Sequence, residues 1–445
     1  MSGISTSIRG ILSVSLPISL GSFVQFIVVL TDNYFLGQVH MNAMNGAGNS
    51  ALIYVTLLMF VIGLTSSAQI IIARRNGEGS YEDAGATLAN MLFLAIGLGV
   101  LLVILIHLLN FYALPHLINS DNVLHEMQAF LRIRGFGLLV YPLALSYLAF
   151  YSGIARTLVM LYATLLTAGV NILLDYGLIF GNLGMPELGL EGAAWATLAA
   201  EIAAVIFFVL YTELNRRFHV YQVGRAIRAI TLKHSRRILK VGIPISFQQV
   251  LSLGTWTVFF LFIEKLGEES LQSSHIVRNM YLLAFVSTMG ISQTTKTYVS
   301  TLIAEHRQDE IKHILKKLII INLVGVFILT HGLWLYPEFI AGSFTNNATV
   351  IDLSVKSMYA ILPAMGLACF GSVLLHAIEG AGRTKVALMI EVLTIGLYLG
   401  ATYMMTVVYP LPIYKVWMND YIYFGMLGIA AFLFLRYGKW REYSV

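Results

Sequence analysis

The chain is 445 residues long, and Lys, Arg, Asp and Glu make up only 11% of it, against 58% apolar residues. Soluble domains carry about 25% charged residues, so this composition, with a mean hydropathy of +0.77, excludes a soluble enzyme, a nucleic-acid binder and a disordered scaffold. The formal net charge of +5 names no anionic partner, because the basic residues sit in short loops between apolar runs, as membrane topology requires.

Runs of about 20 apolar residues, long enough to cross the hydrocarbon core, recur along the chain at 10–36, 50–73, 88–110, 131–154, 158–181 and 191–213. They continue at 236–263, 276–303, 314–336, 355–379, 385–409 and 417–435. The sequence therefore predicts an all-α integral membrane protein with twelve spans. The first run follows a short head ending at Arg9, but it is long, holds Pro17 and Asp32, and has no small-residue cleavage site. It is expected to stay as a helix and not to act as a signal peptide. Alternate loops hold Arg74 and Arg75, Arg156, the basic stretch 216–240, Arg307 to Lys317, Arg383 and Lys385, whereas the opposite loops hold Lys265 and Lys415 and little else. That bias predicts both termini in the cytoplasm. Cys369 is the single cysteine, so no intrachain disulfide can form.

The chain repeats itself. Residues 9–19 (RGILSVSLPIS) are echoed by 236–246 (RRILKVGIPIS), a shift of 227 that also carries Gly63 onto Gly290 and the 153–157 segment GIART onto GAGRT at 380–384. Each half holds an even number of spans, so both insert with the same orientation, as a parallel repeat. The expected organisation is a six-helix lobe over 1–213, a cytoplasmic linker over 214–235 forming an interfacial helix, and a second six-helix lobe over 236–445. Two such lobes around a central cleft form the plan of an alternating-access carrier.

Ionisable residues at mid-membrane are costly and face a cavity or a partner. They are Asp32, Asp175, Glu201, Lys296 and Glu391. Asp32 lies fifteen residues beyond Pro17, roughly 22 Å along a helix, and Pro17 removes a backbone hydrogen bond, so the first helix can bend below the acid. Asn171 and Asp175 stand four residues apart, on one helical face. Two carboxyls and an amide at similar depth suit a proton, which burial and a neighbouring acid favour on a carboxyl, or equally a Na⁺ ion held by oxygen ligands. The alternative is that Asn171 and Asp175 simply hydrogen-bond to other helices. The repeat sends Asp32, Asn171 and Asp175 to Phe259, Tyr398 and Thr402, which favours a coupling site confined to the first lobe. Lys296, the lone deep cation, and Tyr34, Met280, Tyr281, Phe285 and Met289 are candidates to line a substrate cavity, since aromatic faces attract organic cations and methionine adapts to varied shapes. No phosphate-binding loop of the G-x-x-x-x-G-K-[ST] type is present, so an ion gradient is the expected energy source, and neither a cofactor nor a resident metal is expected.

These residues resemble the multidrug and toxic compound extrusion (MATE) family, and within it the DinF-like branch. The likeness covers essentially the whole chain. It rests on Pro17, on Asp32 in a D-x-x-x-x-G context, on 63–79 (GLTSSAQIIIARRNGEG), and on 171–181 (NILLDYGLIFG) followed by 192–197 (GAAWAT). The resemblance implies export of amphipathic, often cationic drugs by antiport against H⁺ or Na⁺, with Asp32, Asn171 and Asp175 as the ion site and helix bending at Pro17 linked to protonation. It implies a monomer in the cytoplasmic membrane of a bacterium or archaeon, working in the lipid bilayer without nucleic acid, and not an enzyme. The NorM-like branch is associated with acidic ligands in the second lobe, whereas Glu264 and Glu379 here fall at span ends. Two other readings are weaker. A lipid-linked precursor flippase would need a strongly basic cavity, and there is one deep Lys296. A membrane transferase acting on lipids would need clustered acids, histidines or a metal site in a large loop.

Overall fold

The computed structural model describes residues 3–39 and 41–440. Its long helices run in chain order as α1 (Ile8–Val39), α2 (Met41–Gly77), α3 (Tyr81–Leu108), α4 (Asp121–Arg134), α5 (Gly137–Gly153), α6 (Thr157–Phe180) and α7 (Leu190–Leu214). They continue as α8 (Leu232–Glu264), α9 (Glu268–Ala304), α10 (Ile311–Thr330), α11 (Ala348–Gly380), α12 (Thr384–Tyr403) and α13 (Asp420–Tyr437). Among the described residues, ten helices are long and apolar enough to cross a membrane, and α4 with α5, bent by 49° at a short break, form an eleventh candidate. The protein is an all-helical, multi-pass membrane protein.

The predicted span 276–303 lies in α9, which is 37 residues long but too polar to join that apolar set. Its Ser, Thr and Lys residues from Ser287 to Thr301 are almost all buried. The helix therefore turns its polar groups to protein instead of lipid, and Thr294 and Thr295 bond the carbonyls of Gly290 and Ile291 one turn back, at 2.8 and 2.7 Å.

The chain divides into two compact units, Leu20–Ser246 and Met1–Ser19 with Phe247–Val445. The boundaries fall inside α1 and α8, two residues after Pro17 and two after Pro244, at equivalent positions of the repeat. Each of these helices therefore contributes its first part to one unit and its remainder to the other. Two close approaches explain this. A Cβ on Gly63 would collide with the backbone of Ser246, and one on Gly290 with Ser19. Glycine at each place lets a helix segment lie directly against its neighbour, and Ser246 Oγ adds a hydrogen bond to the Phe60 carbonyl at 2.6 Å. The start of the chain is tied down within its own unit: the Ile4 amide donates to Glu305 at 2.9 Å, Tyr298 to the Ser5 carbonyl at 3.0 Å and Lys317 to the Thr6 carbonyl at 2.7 Å.

The stretch expected to be an interfacial helix folds differently. It forms a 3₁₀ segment, Arg216–Tyr221, and a single turn, Val223–Ala226. Gln222 between them has a φ of 46°, a left-handed conformation that ends the first turn and prevents a continuous helix. The segment is anchored on α2 and α3, with the Tyr221 hydroxyl donating to Asn76 at 2.8 Å and the Thr231 amide to Asn90 at 3.2 Å.

Candidate ion-coupling site

The site is built where the last turns of α1 and α6 meet the first turns of α7. Leu36, Ile179, Leu190 and Ala193 form a small buried cluster there, with Phe35 and Phe180 packed against it, their rings edge to face at 5.5 Å. A Cβ on Gly192 would strike the Leu178 carbonyl, so glycine permits α7 to close on α6. Gly181, with a φ of 71°, ends α6 in the left-handed conformation typical of a helix stop. These contacts hold the α6 face that carries Asn171 and Asp175 against α1 and α7.

Asp175 is fully buried, Asn171 nearly so, and Asp32 is half-buried. The Asp32 and Asp175 carboxyls lie beside each other, and Asn171 lies beside Asp175. The Asn171 amide nitrogen points to Thr197 Oγ1 at 3.5 Å, and that hydroxyl donates to the Ala193 carbonyl at 2.9 Å. Both Asp175 oxygens, Asp32 Oδ1 and the Asn171 carbonyl oxygen are buried without a donor. Buried acceptors of this kind are costly unless something satisfies them. A shared proton or a small cation would do so, because either supplies positive charge where two carboxyls face each other.

The other deep charges are paired. Arg134 donates to both oxygens of Glu201, at 3.0 and 2.7 Å, and its guanidinium lies 3.9 Å from the centre of the Tyr54 ring. Lys296 Nζ is 3.8 Å from Glu379. Glu391 accepts from Ser252 at 2.7 Å and from the Tyr423 hydroxyl. Asp420, which the sequence reading passed over at the start of the last span, is buried beside the Tyr281 and Tyr398 hydroxyls. The second half therefore does hold buried acids, but they meet hydroxyl donors or a counter-charge, whereas Asp32 and Asp175 meet each other. The partners Arg134, Glu379 and Asp420 all lie at helix ends, where one sequence gives no sign of depth. Thr197 stood inside the GAAWAT run and could have been read from it.

Of the cavity candidates in the second half, Met280, Tyr281 and Phe285 share one core, which Met289 and Lys296 do not join. Tyr34 is exposed on α1, 66% of its surface being accessible, and Met289 on α9 is exposed as well. Tyr281 is buried in the core of its unit against Trp256, Phe285 and Trp417, with Met280 packed at the edge of that core. Lys296 is buried beside Glu379. Among the described residues, no group of three or more His, Cys, Asp or Glu side chains forms a metal site.

The MatE family model matches the chain twice, over residues 17–177 and 244–404. The chain belongs to the MatE family. The two matches are displaced by 227 residues, the offset already found between the halves, so the internal repeat is that of the family. Curated relatives include a "Probable multidrug resistance protein NorM" of Thermotoga maritima, 25% identical over 98% of this chain and 94% of that protein. A protein of the same name from Synechocystis is 23% identical over 96% of this chain and 94% of its own length. Among solved structures, an outward-facing multidrug resistance MATE transporter of the MOP superfamily superposes with a TM-score of 0.88 at 18% identity, covering 98% of this chain and 97% of that one. A MOP superfamily transporter from Pyrococcus furiosus, described as having a binding pocket of reverse polarity, gives the same score, identity and coverage. At this identity these structures establish the fold.

Proposed function

We propose that this MatE protein is a secondary active exporter that expels amphipathic, cationic organic compounds by antiport against H⁺ or Na⁺. In this reading Asp32, Asn171 and Asp175 bind the coupling ion, and Pro17 lets α1 bend as the site fills and empties. The observation that carries it is the set of buried acceptor oxygens without donors on these three side chains. A site that binds and releases a cation in each cycle leaves its ligands unsatisfied in one state, and here, unlike at Glu379 with Lys296 at 3.8 Å, the unsatisfied oxygens belong to two neighbouring acids. The multidrug names of the curated relatives support the class of substrate. The basic residues of alternate loops support a cytoplasmic membrane location with both termini inside, and the protein is taken to work as a monomer. The counter-charge of Glu379 beside Lys296 leaves no bare deep cation to favour a pyrophosphate-bearing lipid.

The test is efflux of a fluorescent organic cation from vesicles reconstituted with the purified protein, under an H⁺ gradient alone and a Na⁺ gradient alone. One gradient should drive efflux, and Asp32→Asn should abolish it. Efflux that needs neither gradient, or that survives Asp32→Asn intact, would refute the reading.

A further inference from the structure

We propose that Arg134, held by Glu201, is the positioning residue that sets how tightly the Asp32–Asp175 carboxyls hold their ion. The inference rests on the assignment of that pair as the coupling site. It starts from a break in the fold. Arg134 is the last residue of α4, Gly137 the first of α5, and the two helices bend by 49° between them. A Cβ on Gly137 would run into the Arg134 guanidinium, the Glu201 carboxylate and the Tyr54 hydroxyl. Glycine at the bend thus makes room for a buried ion pair whose side chains are only 11% and 5% exposed.

The ion pair is next to the coupling residues on the same scaffold. Glu201 follows Thr197 by four residues on α7, so one helical face presents Thr197 to Asn171 and Glu201 to Arg134. Asp32 lies within electrostatic reach of Arg134. The groups facing Arg134 are Glu201 from α7, Tyr54 from α2, Tyr141 from α5 and Asp32 from α1. Those facing the carboxyl pair are Asn171 and Arg134. Packing alone does not require the pair. The repeat places Ile361 and Gly428 at the positions of Arg134 and Glu201, and the second half packs there without any charge.

The guanidinium stays charged at all physiological pH values. What reaches Asp32 is therefore the difference between a fixed positive charge and the carboxylate that offsets it. Removing Arg134 takes a fixed positive charge away from the acids and makes a bound H⁺ or Na⁺ more favourable. Removing Glu201 leaves Arg134 uncompensated and makes it less favourable. The two changes act in opposite directions, which a merely structural ion pair would not produce.

Binding of tetraphenylphosphonium to the purified full-length protein, measured against pH, reports the competition with protons at the acids. Arg134→Gln should move the midpoint toward alkaline pH by roughly one pH unit, and Glu201→Gln toward acid pH by a similar amount. The double variant Arg134→Gln/Glu201→Gln should lie near wild type. Shifts of the same sign, or no shift, in variants that bind the probe would overturn the proposal. If the single variants fail to fold, Glu201→Asp keeps both charges but loosens the bidentate pair. It should shift the midpoint to acid pH while Arg134→Lys, which keeps the charge, stays closer to wild type; unchanged midpoints in both would overturn the proposal. Asp32→Asn separates the two levels of the argument. If it keeps the wild-type pH dependence, the coupling-site assignment itself fails. If it abolishes that dependence while the Arg134 and Glu201 variants keep the wild-type midpoint, only the role of Arg134 fails.

Discussion

Lys296 Nζ lies 3.8 Å from Glu379 in one half of the protein, and at the two repeat-equivalent positions of the other half Gln69 donates to Ser152 at 2.9 Å. The same helix–helix contact is thus made once with an ion pair and once with a neutral hydrogen bond. The backbone around both is alike, since a Cβ on Gly380 would meet the Lys296 carbonyl and one on Gly153 the Gln69 carbonyl.

Breaking a buried ion pair by removing one partner leaves an uncompensated charge and costs about 3–5 kcal/mol. Lys296→Gln alone should therefore lower the melting temperature of the detergent-solubilised protein markedly. The double variant Lys296→Gln/Glu379→Ser, which installs the neutral pair of the other half, should recover most of the loss. A double variant no more stable than the single one would show that the two contacts are not interchangeable.

Close backbone approach makes Gly63 and Gly290 sensitive positions. Gly63→Val and Gly290→Val overpack the contacts with Ser246 and Ser19 and should each cost about 1–3 kcal/mol. Gly254 has open space around it, so Gly254→Ala should be neutral or gain up to about 1 kcal/mol from helix propensity. Thermal unfolding of the three variants side by side checks the ordering.

Asparagine has nearly the volume of aspartate but carries no charge. Asp175→Asn should abolish ion-driven efflux while leaving the amount of folded protein and its melting temperature at or above wild type, because it removes one of two facing buried carboxyls. Lys296→Gln, compared per folded molecule, should impair efflux less. The reverse order would move the coupling site to the second half.

Replacing Pro17 by alanine restores the backbone donor and relieves the clash with the preceding turn. Pro17→Ala should fold normally yet slow efflux severalfold, as measured in reconstituted vesicles at equal protein content. Undiminished efflux would detach the proline from the transport cycle.

The sequence alone determined the helical membrane fold, the repeat and the carboxyls at issue. Each was legible for a local reason: hydrocarbon thickness fixes the length of an apolar run, a 227-residue shift aligns the halves, and a charged residue inside an apolar run is conspicuous. Only the tertiary structure decided the partners. Arg134, Glu379 and Asp420 sit at helix ends, where composition does not say whether a charge reaches water or turns inward, and each was buried by contacts with a helix distant in sequence. The unit boundary inside α1 and α8 was equally invisible, because it depends on which neighbour a glycine admits. The acid pair at Asp32 and Asp175 needed both: the sequence marked two charges that are expensive to bury, and the packing of α1 on α6 put them face to face without a donor.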